Sequence, residues 1–309
     1  MPSDVEAALQ VLFADVPPGL RLCNGLLPLI TVAQVYAIVR DRTEVDHTVE
    51  ELRASGKLRT AQLGPRRSEL LLARATDCDA VLGNTLSMQH HHIGADGLDS
   101  LGILSTQVVK LLMGHSTSAF ILTGDIAAAL NDSSVRHSTP TPPKAVDVAH
   151  HLAGLGWIRP SRAATGAGPN EAPIAEGEEW MWSFPDSGSL VNGLLQARHE
   201  VLCTLKRQRL GRASLQLVQN STKVISLPAL WCICYSASSF FNHAFNVLLV
   251  LQSILRVTKL DLRYVLRDME GLELIVTEQP GLRGCSLYLT PQGQQEVVAT
   301  SSKGRKRQR

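Results

Sequence analysis

The fold class is decided by the stretch Gln34–Gly64, QVYAIVRDRTEVDHTVEELRASGKLRTAQLG. Val45, Val49 and Leu52 recur at intervals of three and four residues, which predicts one buried face of a helix. We expect Thr43 to cap this helix at its start and Gly56 to end it, because glycine readily adopts left-handed backbone. The following run, LRTAQLG, predicts a β-strand.

The segments on either side complete a recognisable order of elements. The second run, ELLLAR, predicts another strand, and Gly64-Pro65-Arg66-Arg67 joins it to the first in a hairpin with a basic tip. Upstream, a helix is expected from a cap at Thr31 through VAQVYAIV. A further helix precedes it, with one apolar face made of Val5, Ala8, Leu9, Leu12 and Phe13. Three helices followed by a hairpin is the order of a winged helix, here over residues 1–75.

The same order of elements is expected twice more. The second copy has predicted helices at Leu104–Met113, Gly124–Asn131 and Pro143–Leu155, with strands near 156–158 and 179–184. The third is partial, with a helix at Lys259–Met269 and a hairpin made of LELIVTEQ and CSLYLTP. In each copy a helix ends in glycine before a β-prone run, at Gly56, Gly156 and Gly271. The sequence therefore predicts an α+β chain of three tandem winged-helix modules.

These modules give a predicted domain order. Winged helix 1 (1–75) is followed by a linker (76–103), winged helix 2 (104–184), a basic linking helix (185–212), winged helix 3 (213–296) and a basic tail (297–309). Val224–Leu255 contains no Lys, Arg, Asp or Glu and is long enough to cross a bilayer. Its polar residues, among them Asn242, His243 and Asn246, argue against a span. We expect no membrane segment and an apolar insertion at about 224–252, with a membrane-like element or an unremoved intron as alternatives.

The composition points to a folded protein with localised basicity. The 309 residues are 44% hydrophobic and 19% charged, which excludes a disordered chain. The net charge is +2, but the last seven residues, KGRKRQR, hold five of the thirty basic groups, and the rest of the chain is net acidic. A terminal cluster of this kind predicts a nuclear localisation signal, with a DNA-binding arm or a solubilising tail as alternatives. Its basic residues are Lys303, Arg305, Lys306, Arg307 and Arg309.

The segment Ser189–Arg212 predicts a long amphipathic helix and is the most basic folded stretch of the chain. Duplex DNA is bound mainly through lysine and arginine contacts to phosphates, so basic residues here and near the first module are the candidates. A solvated helix face is the alternative. We expect backbone-directed binding rather than sequence readout, because few side chains suit base edges. The predicted DNA-binding residues are Arg198, Lys206, Arg207, Arg209 and Arg212, with Arg66, Arg67, Lys57 and Arg59 as secondary candidates.

The opening stretch resembles the start of the serine/threonine-protein kinase 19 family, also called winged-helix repair factor. Two later segments, EEWMWSFPDSGSLVNGLLQARHEVLCTLKRQR and LYLTP, are similar to its Trp-containing strand, basic helix and final strand. The resemblance implies tandem winged helices, a nuclear address, duplex DNA binding through the long helix, and a role in transcription-coupled nucleotide excision repair at stalled RNA polymerase. Its partners would be repair and polymerase proteins. Thr76–Ile103 and the run 224–252 depart from the family pattern.

The sequence supports catalytic functions less well than it supports DNA binding. The GxGxxG, HRD, DFG and GxxxxGK[ST] motifs of phosphoryl transfer do not occur. Asp99-Ser100-Leu101 is similar to a phosphopantetheine attachment site, although a helix cap is the plainer interpretation. His90-His91-His92 lacks partner ligands, and the six cysteines lack zinc spacing. We expect no enzyme activity, cofactor or metal.

The main rival to DNA binding is a protein-docking scaffold without DNA contact, and a protein kinase is the lesser alternative. Whether the protein forms a homodimer is left open by the sequence.

Overall fold

A computed structural model of the chain describes residues 3–62, 70–91, 99–115, 120–132, 143–161, 179–221, 260–278 and 285–297. The described residues are helical with small antiparallel sheets, as expected of an α+β protein. The chain divides into two units. The terminal unit contains Met1–Leu20, Val32–Arg42 and Ser189–Arg309, and the central unit contains Arg21–Thr31 and Thr43–Gly188. The apolar run 224–252, the first wing tip and the basic tail lie outside the described residues.

The first sheet is formed by β1 (Ile30–Thr31), β2 (Leu58–Gln62) and β3 (Leu70–Arg74), in the order β1-β3-β2. All pairs are antiparallel, with Ile30 opposite Leu72 and Leu58 opposite Arg74. Two strands were predicted, but β1 was not. Thr31 ends this strand, opposite Leu71, and directly precedes the helix Val32–Tyr36, where the sequence predicted a helix cap.

The helices in this part of the sequence follow the apolar periodicity. Helix α1 (Asp4–Asp15) begins at a capping box in which Ser3 and Glu6 exchange hydrogen bonds, and it buries the five predicted apolar residues. After a short turn of helix, α2 (Leu22–Gly25), helix α3 covers only Val32–Tyr36. Helix α4 (Arg42–Ala54) buries Val45, Val49 and Leu52 as predicted.

Within the predicted linker 76–103, the described residues are helical. Helix α5 (Ala75–His91) follows β3 directly, and α6 (Asp99–His115) begins within the same range. The histidine-rich stretch gave no helical signal because its apolar periodicity is weak. Asp99 is the first residue of α6, which agrees with a helix start rather than requiring a modification site.

The second sheet has the same strand order as the first. It is formed by β4 (Phe120–Leu122), β5 (Ile158–Pro160) and β6 (Glu179–Trp182), in the order β4-β6-β5. Helices α7 (Thr123–Leu130) and α8 (Ala145–Gly154) lie between β4 and β5 in the chain. Trp180 is almost fully buried, and its indole Nε1 donates a hydrogen bond of 3.2 Å to Thr123 Oγ1.

The third sheet lies in the terminal unit after the long helix α9 (Ser187–Arg207). Its strands are β7 (Arg212–Ser214), β8 (Ile275–Glu278) and β9 (Ser286–Leu289), in the order β7-β9-β8. Helices α10 (Leu215–Ser221) and α11 (Leu262–Gly271) precede β8. The sequence had extended the long helix to Arg212, which is instead the first residue of β7.

The end of the helix before each second strand has the same backbone geometry in all three sheets. The amide of Lys57 donates to Leu52 O at 2.9 Å, that of Trp157 to Leu152 O at 3.1 Å, and that of Leu274 to Met269 O at 2.9 Å. These bonds belong to a Schellman-type helix end, in which the preceding residue is left-handed. That residue is Gly56 (φ 73°), Gly156 (φ 83°) and Glu273 (φ 57°). In the third case the left-handed position is therefore Glu273 and not the predicted Gly271.

Gly271 serves a different purpose in the terminal unit. A Cβ atom at this position would lie 1.6 Å from the carbonyl oxygen of Ala33, so only glycine permits the close approach of α3 and α11. The contact is reinforced by Gln34, whose amide Nε2 donates to Tyr264 O at 2.9 Å. Asp15 on α1 accepts a hydrogen bond of 3.0 Å from Arg267 on α11. Helices α1 and α3 are thus packed on α11.

Candidate nucleic-acid interface

The long helix α9 is anchored in the terminal unit by one apolar face. Leu194, Val201 and Leu205 are at most 2% exposed, and they recur at helical spacing. The helix ends at Arg207, and Arg209–Gly211 form a tight 3₁₀ turn that leads into β7. The last turn of α9, this tight turn and β7 place several predicted DNA-binding residues close together in the chain.

Lys206 and Arg207 occupy the exposed last turn of α9. Neither makes an ion pair with any residue that the structure describes. Cations are favoured at this position because the carbonyl end of a helix carries partial negative charge. These two side chains can contact phosphate without first breaking an ion pair to any of the described residues.

Arg212 is exposed on β7 and is held in place by an aromatic ring. Its guanidinium carbon lies 4.7 Å from the centre of the Tyr288 ring, on the strand residue directly opposite in the sheet. Stacking of this kind fixes the planar guanidinium while leaving its donors available. The sequence did not indicate Tyr288, because the pairing of β7 with β9 brings together residues that are far apart in the chain.

Arg198 was predicted to bind DNA, and the structure places it in the core instead. Its side chain is 10% exposed, and that of Asp268 is 0% exposed. The two form a bidentate ion pair, with Nε to Oδ2 at 2.5 Å and Nη2 to Oδ1 at 3.0 Å. Because Arg198 is nearly buried and its guanidinium is held by the carboxylate of Asp268, it does not belong to the candidate interface.

The remaining candidates fall into three groups. Lys57 is exposed just before β2, and Arg59 is half-exposed on β2, so both belong to the central unit. The backbone of Arg209 lies in the tight turn, and nothing is described of its side chain. Arg66, Arg67 and the tail residues Lys303, Arg305, Lys306, Arg307 and Arg309 lie outside the described residues.

The sequence also missed Leu210, which interrupts the basic run KRQRLGR. Its side chain is 91% exposed, more than any other large apolar residue among those described. The sequence feature that could have identified Leu210 is that it is a single leucine within a run of basic residues. The exposed tip of the tight turn is therefore apolar, although Arg209 directly precedes it and Arg212 follows two residues later.

Three of the four described cysteines, Cys23, Cys78 and Cys285, have thiols that burial keeps protonated. Burial raises the pKa of Cys78 to about 12 and that of Cys23 to about 11, and it also raises the pKa of Cys285. A reactive cysteine instead needs a lowered pKa to form its thiolate. Within the described ranges, no group of three His, Cys, Asp or Glu residues is placed to hold a metal ion, and no helix is long and apolar enough to span a membrane.

Comparisons with known proteins agree with the similarity seen in the opening stretch. Residues 3–277 match the model of the family described as "Inactive serine-threonine protein kinase 19". Human "Winged helix repair factor 1" is 38% identical over 63 residues, which is 20% of this chain. The matched part spans 24% of the length of that relative.

Proposed function

Because the chain belongs to the inactive serine-threonine protein kinase 19 family, we propose that it is a non-catalytic DNA-binding protein made of three winged-helix modules. Support for the modules comes from the three sheets. Each has its third strand between the other two, and each pair of outer strands is separated in the chain by helices. A helix-turn-helix pair followed by a wing has this arrangement. The repeated left-handed helix end supports the same interpretation.

The proposed DNA contact is the basic turn, which we define as Lys206, Arg207 and Arg212. The observation that carries the proposal is that Lys206 and Arg207 are exposed and carry no ion pair within the described part of the chain. Arg212 is presented by its stacking on Tyr288. Exposed cations of this kind are suited to phosphate binding, which releases counterions and is therefore sensitive to salt.

We further propose that the protein acts in the nucleus in DNA repair, specifically at RNA polymerase stalled during transcription-coupled nucleotide excision repair. The name of the human relative contains both winged helix and repair. The basic tail 303–309 on an otherwise acidic chain is typical of a nuclear address. Duplex DNA and proteins of the repair and polymerase complexes are the proposed partners.

Replacing the five tail cations by alanine should disperse a fluorescent fusion into the cytoplasm. Retention of the fusion in the nucleus would contradict the proposal that the tail is a nuclear localisation signal.

Fluorescence anisotropy with the full-length protein and a labelled duplex tests the DNA contact. We expect Lys206→Glu/Arg207→Glu to weaken binding at least tenfold at moderate salt. The slope of log affinity against log salt should fall by about 0.9 for each phosphate that the variant no longer neutralises. Lys110→Glu/Lys144→Glu, which reverses two exposed cations of the central unit, is the matched control and should have a smaller effect.

Two outcomes would contradict the proposal. Equal decreases in affinity in the two variants would mean that only net charge matters, and that the basic turn is not the site. Absence of salt-sensitive binding by the wild-type protein would favour the rival function, a scaffold that docks proteins without touching DNA.

A further inference from the structure

Leu210 has two features that do not stabilise the folded chain. It is 91% exposed, so its apolar surface remains in water. Its backbone is left-handed, with φ 67° and ψ 14°, a conformation that is unfavourable for residues with a Cβ atom. Asparagine or glycine would adopt this backbone more readily. A costly backbone combined with an exposed apolar side chain is a feature found at functional sites.

The turn that carries Leu210 is fixed on both sides. Gly211, also left-handed at φ 63°, lies against β9, and a Cβ there would approach Leu289 Cβ to 3.2 Å. Before the turn, the amide of Gln208 donates to Leu205 O at 3.0 Å, and Leu205 is fully buried. The tip is therefore held by the core of the terminal unit and by the third sheet.

The neighbours of Leu210 in the chain specify the chemistry of its partner. Lys206 and Arg207 precede it by about one helical turn, and Arg212 follows two residues later. An apolar tip flanked by cations complements a polyanion with an apolar interior. Duplex DNA has this character, since stacked bases lie between two rows of phosphates, and proteins that kink DNA insert leucine and similar residues between base steps.

We propose that Leu210 is an apolar wedge that enters a base step while the basic turn holds the flanking phosphates. The proposal rests on the DNA-binding function proposed above and specifies its substrate. Inserting a wedge requires two bases to unstack, which is easiest where pairing is already disturbed. The preferred ligand is accordingly a duplex with a mismatch or a junction with unpaired bases, rather than a perfect duplex.

The test compares wild-type protein with Leu210→Asn on two duplexes of the same sequence, one perfect and one with a central two-base mismatch. Asparagine suits the left-handed backbone, so this variant should fold and melt at the same temperature or higher. Leu195→Asn is the matched control, because Leu195 is an exposed leucine on α9. A 2-aminopurine beside the mismatch reports unstacking through increased fluorescence.

Wild type and Leu195→Asn should bind the mismatched duplex about tenfold more tightly than the perfect one and increase the fluorescence. Leu210→Asn should bind the perfect duplex normally but lose the preference and the fluorescence change. If wild-type protein binds both duplexes equally and with salt sensitivity, the wedge is wrong while the DNA-binding function stands. If it binds neither, both fail. If Leu210→Asn instead loses binding only to phosphatidylserine vesicles, the tip recognises lipid and the wedge is also wrong.

Discussion

At the scale of single residues, the pair of Arg198 and Asp268 shows how a basic side chain can belong to the core. Asp268 on α11 is fully buried and accepts both hydrogen bonds of the guanidinium. Removing one member of such a pair leaves the other charge buried without compensation. The pair therefore matters for the terminal unit, where it joins α9 to α11.

We expect Asp268→Ala to lower the free energy of unfolding by about 3–5 kcal/mol, measured by urea denaturation. The double variant Arg198→Met/Asp268→Leu should recover most of this stability, because apolar side chains of similar size need no partner. Glu51→Ala breaks an exposed contact with His47 and should cost less than about 1 kcal/mol.

The same variants test the reassignment of Arg198. The double variant should retain DNA affinity, since neither side chain is exposed. A selective decrease in affinity would restore Arg198 to the interface, and a cost of Asp268→Ala no larger than that of Glu51→Ala would refute the stabilising role. The burial of Arg198 could have been predicted from the sequence, because Arg198 falls on the apolar helix face that also includes Leu194 and Val201. It could not reveal a partner seventy residues away.

At the scale of elements, the three helix ends share their backbone hydrogen bonds but not the type of residue at the left-handed position. Gly56 and Gly156 occupy it in the first two sheets, and Glu273 in the third. A non-glycine residue there costs about 1–2 kcal/mol. Glu273 gains in exchange an exposed ion pair with Arg42 at 2.7 Å, which typically contributes at most about 1 kcal/mol.

Glu273→Gly should therefore raise the free energy of unfolding by a few tenths to about 1 kcal/mol, measured by thermal and urea denaturation. Glu273→Ala is the matched control: it removes the same ion pair but retains the Cβ atom, and it should be neutral or slightly destabilising. If both variants destabilise the protein equally, the ion pair outweighs the backbone cost and the expectation fails.

The sequence predicted the helices and strands that have a clear apolar period, and it missed the 17-residue α5, whose periodicity is weak. Helices α1, α4, α9 and α11 and the five-residue strands β2 and β3 have enough residues to show a period. The strand β1 has two residues and β7 has three, so neither displays alternation, and both were missed. The end of α9 was misplaced because the left-handed turn at Leu210 gives no residue-type signal comparable to glycine.

At the scale of the whole molecule, the terminal unit is built from both ends of the chain. The carbonyl of Ala33 on α3 touches Gly271 on α11, and Gln34 hydrogen-bonds Tyr264 across the same contact. The predicted first module, residues 1–75, includes α1 and α3 but not these partners. Local patterns define modules along the sequence, whereas a close approach between distant backbones can be recognised only in three dimensions.

A fragment of residues 1–75 should therefore lack a cooperative thermal transition, because Val32, Ala33 and Val35 would be deprived of the packing that buries them. Circular dichroism of the fragment and of the full chain, recorded as a function of temperature, measures this transition.

In the full chain, Gly271→Ala disrupts the same contact. It should lower the free energy of unfolding by about 3 kcal/mol or more, since neither backbone can easily yield. Gly188→Ala meets nothing within 4 Å and should be neutral or stabilising. A fragment that unfolds cooperatively near the melting temperature of the full chain would instead show that the first module folds without the end of the chain, and that the contact at Gly271 joins parts that are already formed.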